Sequence, residues 1–208
     1  MKRTLAARIV DSRTEYQGFL SVRRYEIEET LHGGGQQRVV RLIMERGHSV
    51  AVLPYDPVRD RVVLISELRP GILVAGGPAF SDSLVAGVVE PGEHVLAAAA
   101  REAREEAGLT LRSPRVIHQQ AFVSPGGTSE SIAIVYGIVD APESSEIHGN
   151  ASEAENIRTV ILSPRKLMNR VRSGVILDMK TLLAGYWLAA NRAKLRREIL
   201  APRLDQVS

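Results

Sequence analysis

The chain has 208 residues, 44% of them hydrophobic and 25% charged, which suits one domain with an appendage or two small ones around an ordinary core. It contains no cysteine, which excludes disulfides and thiol chemistry, and it has no apolar run long enough for a secretory signal or a membrane helix. A net charge of +3 with interspersed signs does not indicate nucleic-acid binding, so we expect a soluble, cytoplasmic protein without a nucleic-acid or membrane partner.

Three strands are predicted at the start of the chain, in residues 4–10, 19–27 and 38–44. The last two are separated by three consecutive glycines, residues 33–35, and such a link is typical of a hairpin. No helix opening with Gly-Lys-Ser or Gly-Lys-Thr follows these glycines, so they do not indicate a phosphate-binding loop. We expect the three strands to form a small antiparallel sheet in a separate domain of residues 1–46.

A second group of strands is predicted in residues 49–53, 61–68 and 84–88. Residues 62–65 are continuously apolar, as in a strand that is buried on both faces. Residues 70–83 are rich in glycine and proline, and they predict a flexible connection.

Residues 87–109 predict a tight loop followed by a helix that ends at Gly108. One face of this helix is apolar and should pack on a core, through Leu96, Ala99, Ala103 and Ala107. Another face carries three carboxylates within one turn, at Glu102, Glu105 and Glu106. Such a cluster is unfavourable without a cation, and Mg²⁺ or Mn²⁺ prefers oxygen ligands. The alternative is a solvated acidic face with an Arg101–Glu105 ion pair.

The remaining strands are predicted in residues 116–123, 131–139 and 157–162, and residues 140–156 form a polar loop. Two helices follow. Ser163 and Pro164 favour the start of the first, and Asp178 should cap the second, which we expect to face the core with Leu182, Tyr186 and Ala189. The basic residues near its end would complement the carboxyl end of the helix.

The spacing within residues 87–109 resembles the Nudix box: Gly87, five residues, Glu93, seven residues, Arg101-Glu102, two residues, Glu105-Glu106, one residue, then Gly108-Leu109. This resemblance implies an α/β fold, an α/β/α sandwich with a mixed sheet in residues 47–208, beside the small N-terminal sheet. It also implies hydrolysis of a diphosphate linked to another moiety, with Mg²⁺ as cofactor and Mn²⁺ as a possible substitute.

A proline sixteen residues beyond Leu109, Pro125 within SPGGTSE, resembles the mark of the ADP-ribose pyrophosphatase branch of this family. Residues 45–65, 146–158 and 19–27 are also similar to that branch. The resemblance implies cleavage of ADP-ribose to AMP and ribose 5-phosphate by a homodimer whose N-terminal sheet contributes to the partner's site. A GDP-mannose or other sugar-nucleotide pyrophosphatase is the enzymatic alternative, and a non-catalytic ADP-ribose sensor is the alternative from another class.

The resemblance also assigns roles around the metal. It implies that the cation is held by the backbone carbonyl of Ala86 and the carboxylates of Glu102, Glu106 and Glu155. Glu105 would act through water or by orienting a ligand, Arg101 would hold Glu105 and the loop, and Glu153 would be the general base. The alternative for Glu153 and Glu155 is a pair of solvated loop glutamates.

Further residues match substrate contacts of that branch. Arg69 would grip the diphosphate with its planar guanidinium, and Glu130 would lie near the terminal ribose, beside the turn of Pro125 and Gly126. Phe19 and Arg41 would hold the adenine, partly from the partner subunit. The alternative is that Phe19 belongs to the core and Arg41 is an exposed strand residue.

Overall fold

The computed structural model describes residues 5–150 and 155–200. The chain divides into two compact units. The described part of the first comprises residues 5–48 and 122–131, and that of the second comprises residues 49–121, 132–150 and 155–200. No helix of the described residues is long and apolar enough to cross a membrane.

The first unit is built on a three-stranded antiparallel sheet. Its strands are β1 (Ala7–Gln17), β2 (Ser21–Thr30) and β3 (Gln36–Glu45), in the order β1-β2-β3. The glycine link makes the predicted hairpin, in which Gly34 and Gly35 have φ values of 93° and 90° that favour glycine. The expected strands are present, but β1 continues to residue 17, seven residues beyond its predicted end at residue 10.

The turn at residues 124–128 belongs to this first unit. The Met44 N–H donates to the carbonyl of Gly127 at 2.9 Å, and the Thr128 hydroxyl donates to the Met44 carbonyl at 2.9 Å. A distant segment of sequence is thereby fixed to the end of β3.

The second unit contains a mixed sheet. Its strands are β4 (Ser49–Asp56), β5 (Arg61–Leu68), β6 (Phe80–Ser83), β7 (Val85–Val88), β8 (Arg112–Phe122), β9 (Ser131–Ile138), β10 (Ile147–His148) and β11 (Ile157–Leu162). The order is β10-β11-β5-β4-β9-β8, with β6 paired to β5 and β7 paired to β4. Strands β4 and β9 are parallel, whereas β4 and β5 are antiparallel.

Helices cover both faces of this sheet. The helices of this unit are α1 (Pro70–Val74), α2 (Val95–Ala107), α3 (Pro164–Arg172) and α4 (Met179–Leu200), of which α2, α3 and α4 pack on the sheet. Alternate strand residues face α2, among them Val50, Val52, Val63 and Ile65 in one buried cluster with the alanines of α2. On the other face the Leu84 N–H donates to the Thr181 hydroxyl of α4 at 2.8 Å. The predicted α/β sandwich with a mixed sheet is confirmed.

Two predictions about local structure are wrong. Residues 70–83 are not simply a flexible connection, because they contain α1 and then β6, which pairs with β5. Helix α4 does not bury the face of Leu182, Tyr186 and Ala189. Its buried face is formed instead by Thr181, Ala184, Gly185 and Leu188.

Candidate active site

Helix α2 places the acidic residues of the box at fixed positions. It begins after His94, whose ring nitrogen accepts a hydrogen bond from the Leu96 N–H at 3.2 Å. It ends at Gly108, where φ is 64°, and the Leu109 N–H bonds to the Ala103 carbonyl at 2.9 Å. Since its alanine face is buried against the sheet, the carboxylates are held at one edge of that contact.

Arg101 ties the loop before α2 to the carboxylates on α2. Its guanidinium donates to both carboxylate oxygens of Glu93, at 3.1 and 3.0 Å, and to the Val88 carbonyl at 3.0 Å. It also reaches Glu102 Oε1 at 2.7 Å and Glu105 Oε2 at 3.3 Å. Arg101 is therefore a positioning residue that joins three acidic side chains.

The burial of two glutamates argues against a merely solvated acidic face. Glu102 and Glu106 are only 8% and 4% exposed, whereas the Glu105 side chain is 50% exposed. The expected Arg101–Glu105 ion pair is present, and Arg101 also pairs with Glu102, but these pairs do not explain the burial of Glu106. Burying charged groups is costly unless a partner compensates, so this pattern is typical of a functional site.

The electrostatics of the buried pair follow from that burial. Desolvation raises the pKa of Glu106 to about 8. The hydrogen bond that its Oε2 accepts from the Ala86 N–H at 2.9 Å acts in the opposite direction and lowers this pKa. The charges of Glu67, Glu102 and Glu155 raise this pKa further. Burial also raises the pKa of Glu102, although Arg101 opposes it. Both carboxyl groups thus lie where a cation would stabilise their ionised form.

Gly87 makes room for Glu102. A Cβ added to this glycine would lie 1.9 Å from Glu102 Oε1, a distance that no side chain could accept. The backbone of β7 therefore passes directly against the carboxylate, and only glycine permits that approach.

Glu67 is an acidic residue of the site that the sequence analysis missed. It lies on β5, its side chain is 17% exposed, and desolvation raises its pKa. Its Oε1 is 2.6 Å from Nη2 of Arg69, but the Arg69 N–H does not point at it, so the contact is an ion pair. The same nitrogen donates to the Ser83 hydroxyl at 2.5 Å. Its only signal in the sequence is a charge two residues after the apolar run 62–65, which does not by itself indicate a site.

Glu155 lies in the connection between β10 and β11, the strand pair at one edge of the sheet. Its Oε2 accepts a hydrogen bond from the Asn150 N–H at 3.0 Å, and its own N–H donates to the Asn150 carbonyl at 3.2 Å. Its charge acts on Glu67, Glu102 and Glu106, so it belongs to the same cluster. Glu153, the predicted base, lies outside the described residues.

The other predicted substrate residues lie in the first unit. Phe19 is 93% exposed, which argues against a core role, and the Arg41 guanidinium donates to the Val40 carbonyl at 2.9 Å. Pro125 and Gly126 form the turn in which the Gly127 N–H bonds to the Ser124 carbonyl at 3.0 Å. Glu130 lies 3.9 Å from Arg46.

The carboxylates of the second unit fit a hard divalent cation by their chemistry. Within residues 5–150 and 155–200, no three His, Cys, Asp or Glu side chains are close enough together to ligate one ion as they are placed. Arg101 occupies Glu102 Oε1 and the Ala86 N–H occupies Glu106 Oε2. Nevertheless, Glu67, Glu102 and Glu155 all disfavour ionisation of Glu106, and a cation among these oxygens would remove that penalty.

Comparison with known proteins shows the family of this chain. The NUDIX domain matches residues 45–178, which include the whole box. The chain is 39% identical over 191 residues to an ADP-ribose pyrophosphatase of Escherichia coli strain K12, covering 91% of each chain. It is 28% identical to a GDP-mannose pyrophosphatase of Cronobacter sakazakii, covering 86% of this chain and 93% of the relative.

A solved structure has the same fold. The crystal structure of an ADP compounds hydrolase matches with a TM-score of 0.68 at 21% identity, covering 91% of this chain and 98% of that one. Since the NUDIX match spans the sheet, α2 and the start of the last helical pair, the chain belongs to the NUDIX family.

Proposed function

We propose that this protein hydrolyses the diphosphate of ADP-ribose to AMP and ribose 5-phosphate, with Mg²⁺ as cofactor and Mn²⁺ as a possible substitute. The observation that carries the proposal is the buried pair of Glu102 and Glu106 beside the charges of Glu67 and Glu155. The 39% identity to a relative named ADP-ribose pyrophosphatase supports the choice of substrate.

The proposed metal ligands are the Ala86 carbonyl and the carboxylates of Glu102, Glu106 and Glu155. A divalent cation bound there would neutralise charge on the phosphoryl oxygens and lower the pKa of a bound water. Glu105, which is half exposed, would orient this shell through water. Arg101 would keep Glu102 and Glu105 in place through the hydrogen bonds described above.

The proposed general base is Glu153, which would take a proton from the attacking water. It precedes Glu155 by two residues, so one loop would supply both the base and a metal ligand. Neither a serine nor a cysteine nucleophile is required by this route, in which water attacks phosphorus directly.

Arg69 is proposed to bind the diphosphate. Glu67 and Ser83 hold its guanidinium at 2.6 and 2.5 Å, so its position is set before substrate arrives.

Phe19 and Arg41 are proposed to bind the adenine, Glu130 to lie near the terminal ribose, and Pro125 and Gly126 to shape the turn beside it. In a homodimer, the N-terminal sheet of one subunit would complete the partner's site. We place this enzyme in the cytoplasm.

Turnover of a small substrate panel tests the proposal. ADP-ribose, GDP-mannose and UDP-glucose would be assayed with Mg²⁺, with Mn²⁺ and with EDTA. The Glu102→Gln variant would be compared with Glu143→Gln, which changes a side chain that is 88% exposed. We expect metal-dependent AMP release from ADP-ribose that only Glu102→Gln loses.

GDP-mannose is the second candidate substrate because the chain is similar, over 86% of its length, to a relative named GDP-mannose pyrophosphatase. Preferred turnover of GDP-mannose would keep the proposed chemistry and contradict the assigned substrate. Binding of ADP-ribose without any turnover would contradict hydrolysis and favour the sensor.

A further inference from the structure

A second cavity lies in the second unit, away from the acidic cluster. It has a volume of about 220 Å³, and residues of β8, β9 and the end of α4 line it. Tyr136 of β9 is in its wall and packs on Trp187 of α4, with ring centroids 5.7 Å apart. Successive residues of a strand point to opposite faces of its sheet. Val135 packs against α2 and Tyr136 packs against α4, so the cavity is on the face opposite α2.

The hydroxyl of Tyr136 is buried without a partner. The residue is 2% exposed, and its oxygen has no hydrogen-bond partner in the described part of the chain. Burial raises the pKa of this phenol, so the group remains a neutral donor at physiological pH. A buried hydroxyl without an acceptor is unfavourable, and an acceptor that entered the cavity would relieve this cost.

Charges of both signs line the same cavity. Arg115 and Glu198 have opposite effects on the Tyr136 hydroxyl, which places both near it. Arg115 has no ion-pair partner among residues 5–150 and 155–200, whereas Glu198 lies 3.8 Å from Lys194. Both residues are exposed to solvent. Ile138, Leu195 and Ile199 supply the apolar part of the wall.

Ser113 adds strain at the same place. It lines the cavity with φ at 47°, in the left-handed region that a serine within a strand rarely adopts. Strained residues of this kind cluster at binding and catalytic sites.

We propose that this cavity binds a small zwitterion with an apolar group, the chemical class of the aliphatic amino acids. A simple anion would be attracted by Arg115 but repelled by Glu198. A simple cation would be attracted by Glu198 but repelled by Arg115. A zwitterion pairs its carboxylate with Arg115 and the Tyr136 hydroxyl, its ammonium with Glu198, and its side chain with the aliphatic wall. The cavity of about 220 Å³ has room for a ligand of this size.

Trp187 is the one tryptophan of the chain, and its contact with Tyr136 makes it a reporter for the cavity. We would titrate the full-length protein with leucine and follow tryptophan fluorescence. Isocaproate, which lacks the ammonium group, and isoamylamine, which lacks the carboxylate, are the matched probes. We expect saturable binding of leucine and at least about tenfold weaker binding of each probe, because each leaves one charge unpaired.

Two variants separate this site from a general effect on folding. Tyr136→Phe keeps the ring and removes only the hydroxyl, and Arg115→Gln removes the cation. Each should weaken leucine binding about tenfold. Tyr186→Phe is the control, because it removes a hydroxyl from a side chain that is 57% exposed beside Trp187. No saturable signal with leucine, equal binding of isocaproate, or unchanged affinity in both variants would overturn the proposal.

Discussion

Gly87 shows how a single hydrogen atom in place of a side chain shapes the site. Alanine at this position would place Cβ 1.9 Å from Glu102 Oε1, so Glu102 would have to leave its bond with Arg101. We therefore expect Gly87→Ala to lower kcat for ADP-ribose by on the order of tenfold or more. Steady-state kinetics would measure this loss.

A matched glycine controls for the added methyl group itself. Gly71 lies in α1, and an added Cβ there meets no atom within 4 Å. Gly71→Ala should leave kcat unchanged. Wild-type activity in Gly87→Ala would show that the exact placement of Glu102 is not needed for turnover.

The raised pKa of Glu106 predicts a pH dependence of stability in metal-free protein. Its folded-state pKa of about 8 lies above its ordinary value of 4.5. At a pH between these two values, Glu106 is therefore protonated in the folded state and ionised in the unfolded state. Stability should therefore fall as pH rises from about 5 to about 8. Thermal melting in EDTA would show a declining Tm over this window, and Glu106→Gln would flatten the decline.

Added Mg²⁺ provides the complementary measurement. A cation that binds the ionised carboxylates stabilises the folded protein. This stabilisation should grow toward pH 8, because at lower pH the cation must first displace the proton of Glu106. An equal response to Mg²⁺ in Glu106→Gln would contradict the role of Glu106 as a ligand.

Glu67 should affect substrate binding through Arg69. Glu67→Gln keeps the shape of the side chain but removes the charge that lies 2.6 Å from the guanidinium. We expect KM for ADP-ribose to rise about threefold to tenfold with a smaller change in kcat. Glu143→Gln is the control, and a fall in kcat at unchanged KM would argue for a role at the metal instead.

At the scale of elements, the sequence predicts best where one local pattern suffices. The end of α2 could be predicted from Gly108 and its buried face from the alanine spacing, and the burial of residues 62–65 from their continuous apolarity. Glu67 and β6 could not be found in this way. Their roles depend on Arg69, Ser83 and pairing with β5, which are contacts between separate strands rather than features of either segment.

Helix α4 shows why a periodic pattern can select the wrong face. Apolar side chains occur nearly all round its first half, so hydrophobicity alone does not choose between them. The face is decided by two small residues. Thr181 receives a hydrogen bond from the Leu84 N–H, and Gly185 allows close packing, because a Cβ there would lie 3.3 Å from Val171.

Removing the Thr181 hydroxyl tests that account of α4. Valine has the same shape but would leave the buried Leu84 N–H without its acceptor, which is 2.8 Å away. We expect Thr181→Val to lower the free energy of unfolding by about 1–3 kcal/mol, measured by urea denaturation. Thr110→Val, at an exposed position, should change it little; equal losses in the two variants would count against the hydrogen bond.

At the scale of the whole molecule, the proposed homodimer would account for the exposure of Phe19. Phe19 is 93% exposed in the single chain, so its ring is available to be covered by a partner. A homodimer that uses Phe19 in the partner's site would provide that cover. Light scattering should then report a dimer, and Phe19→Ala should raise KM for ADP-ribose.

Mixing two defective variants decides whether Phe19 acts across the dimer. Phe19→Ala and Glu106→Gln would be combined in equal amounts and allowed to exchange subunits. If Phe19 acts on the partner, each mixed dimer has one site with both defects and one with neither. Random exchange makes half of the dimers mixed, so about a quarter of wild-type activity should return at low substrate, as expected for a two-fold dimer. If Phe19 acts within its own chain, every site keeps one defect, and the mixture would show no more activity than the average of its two components.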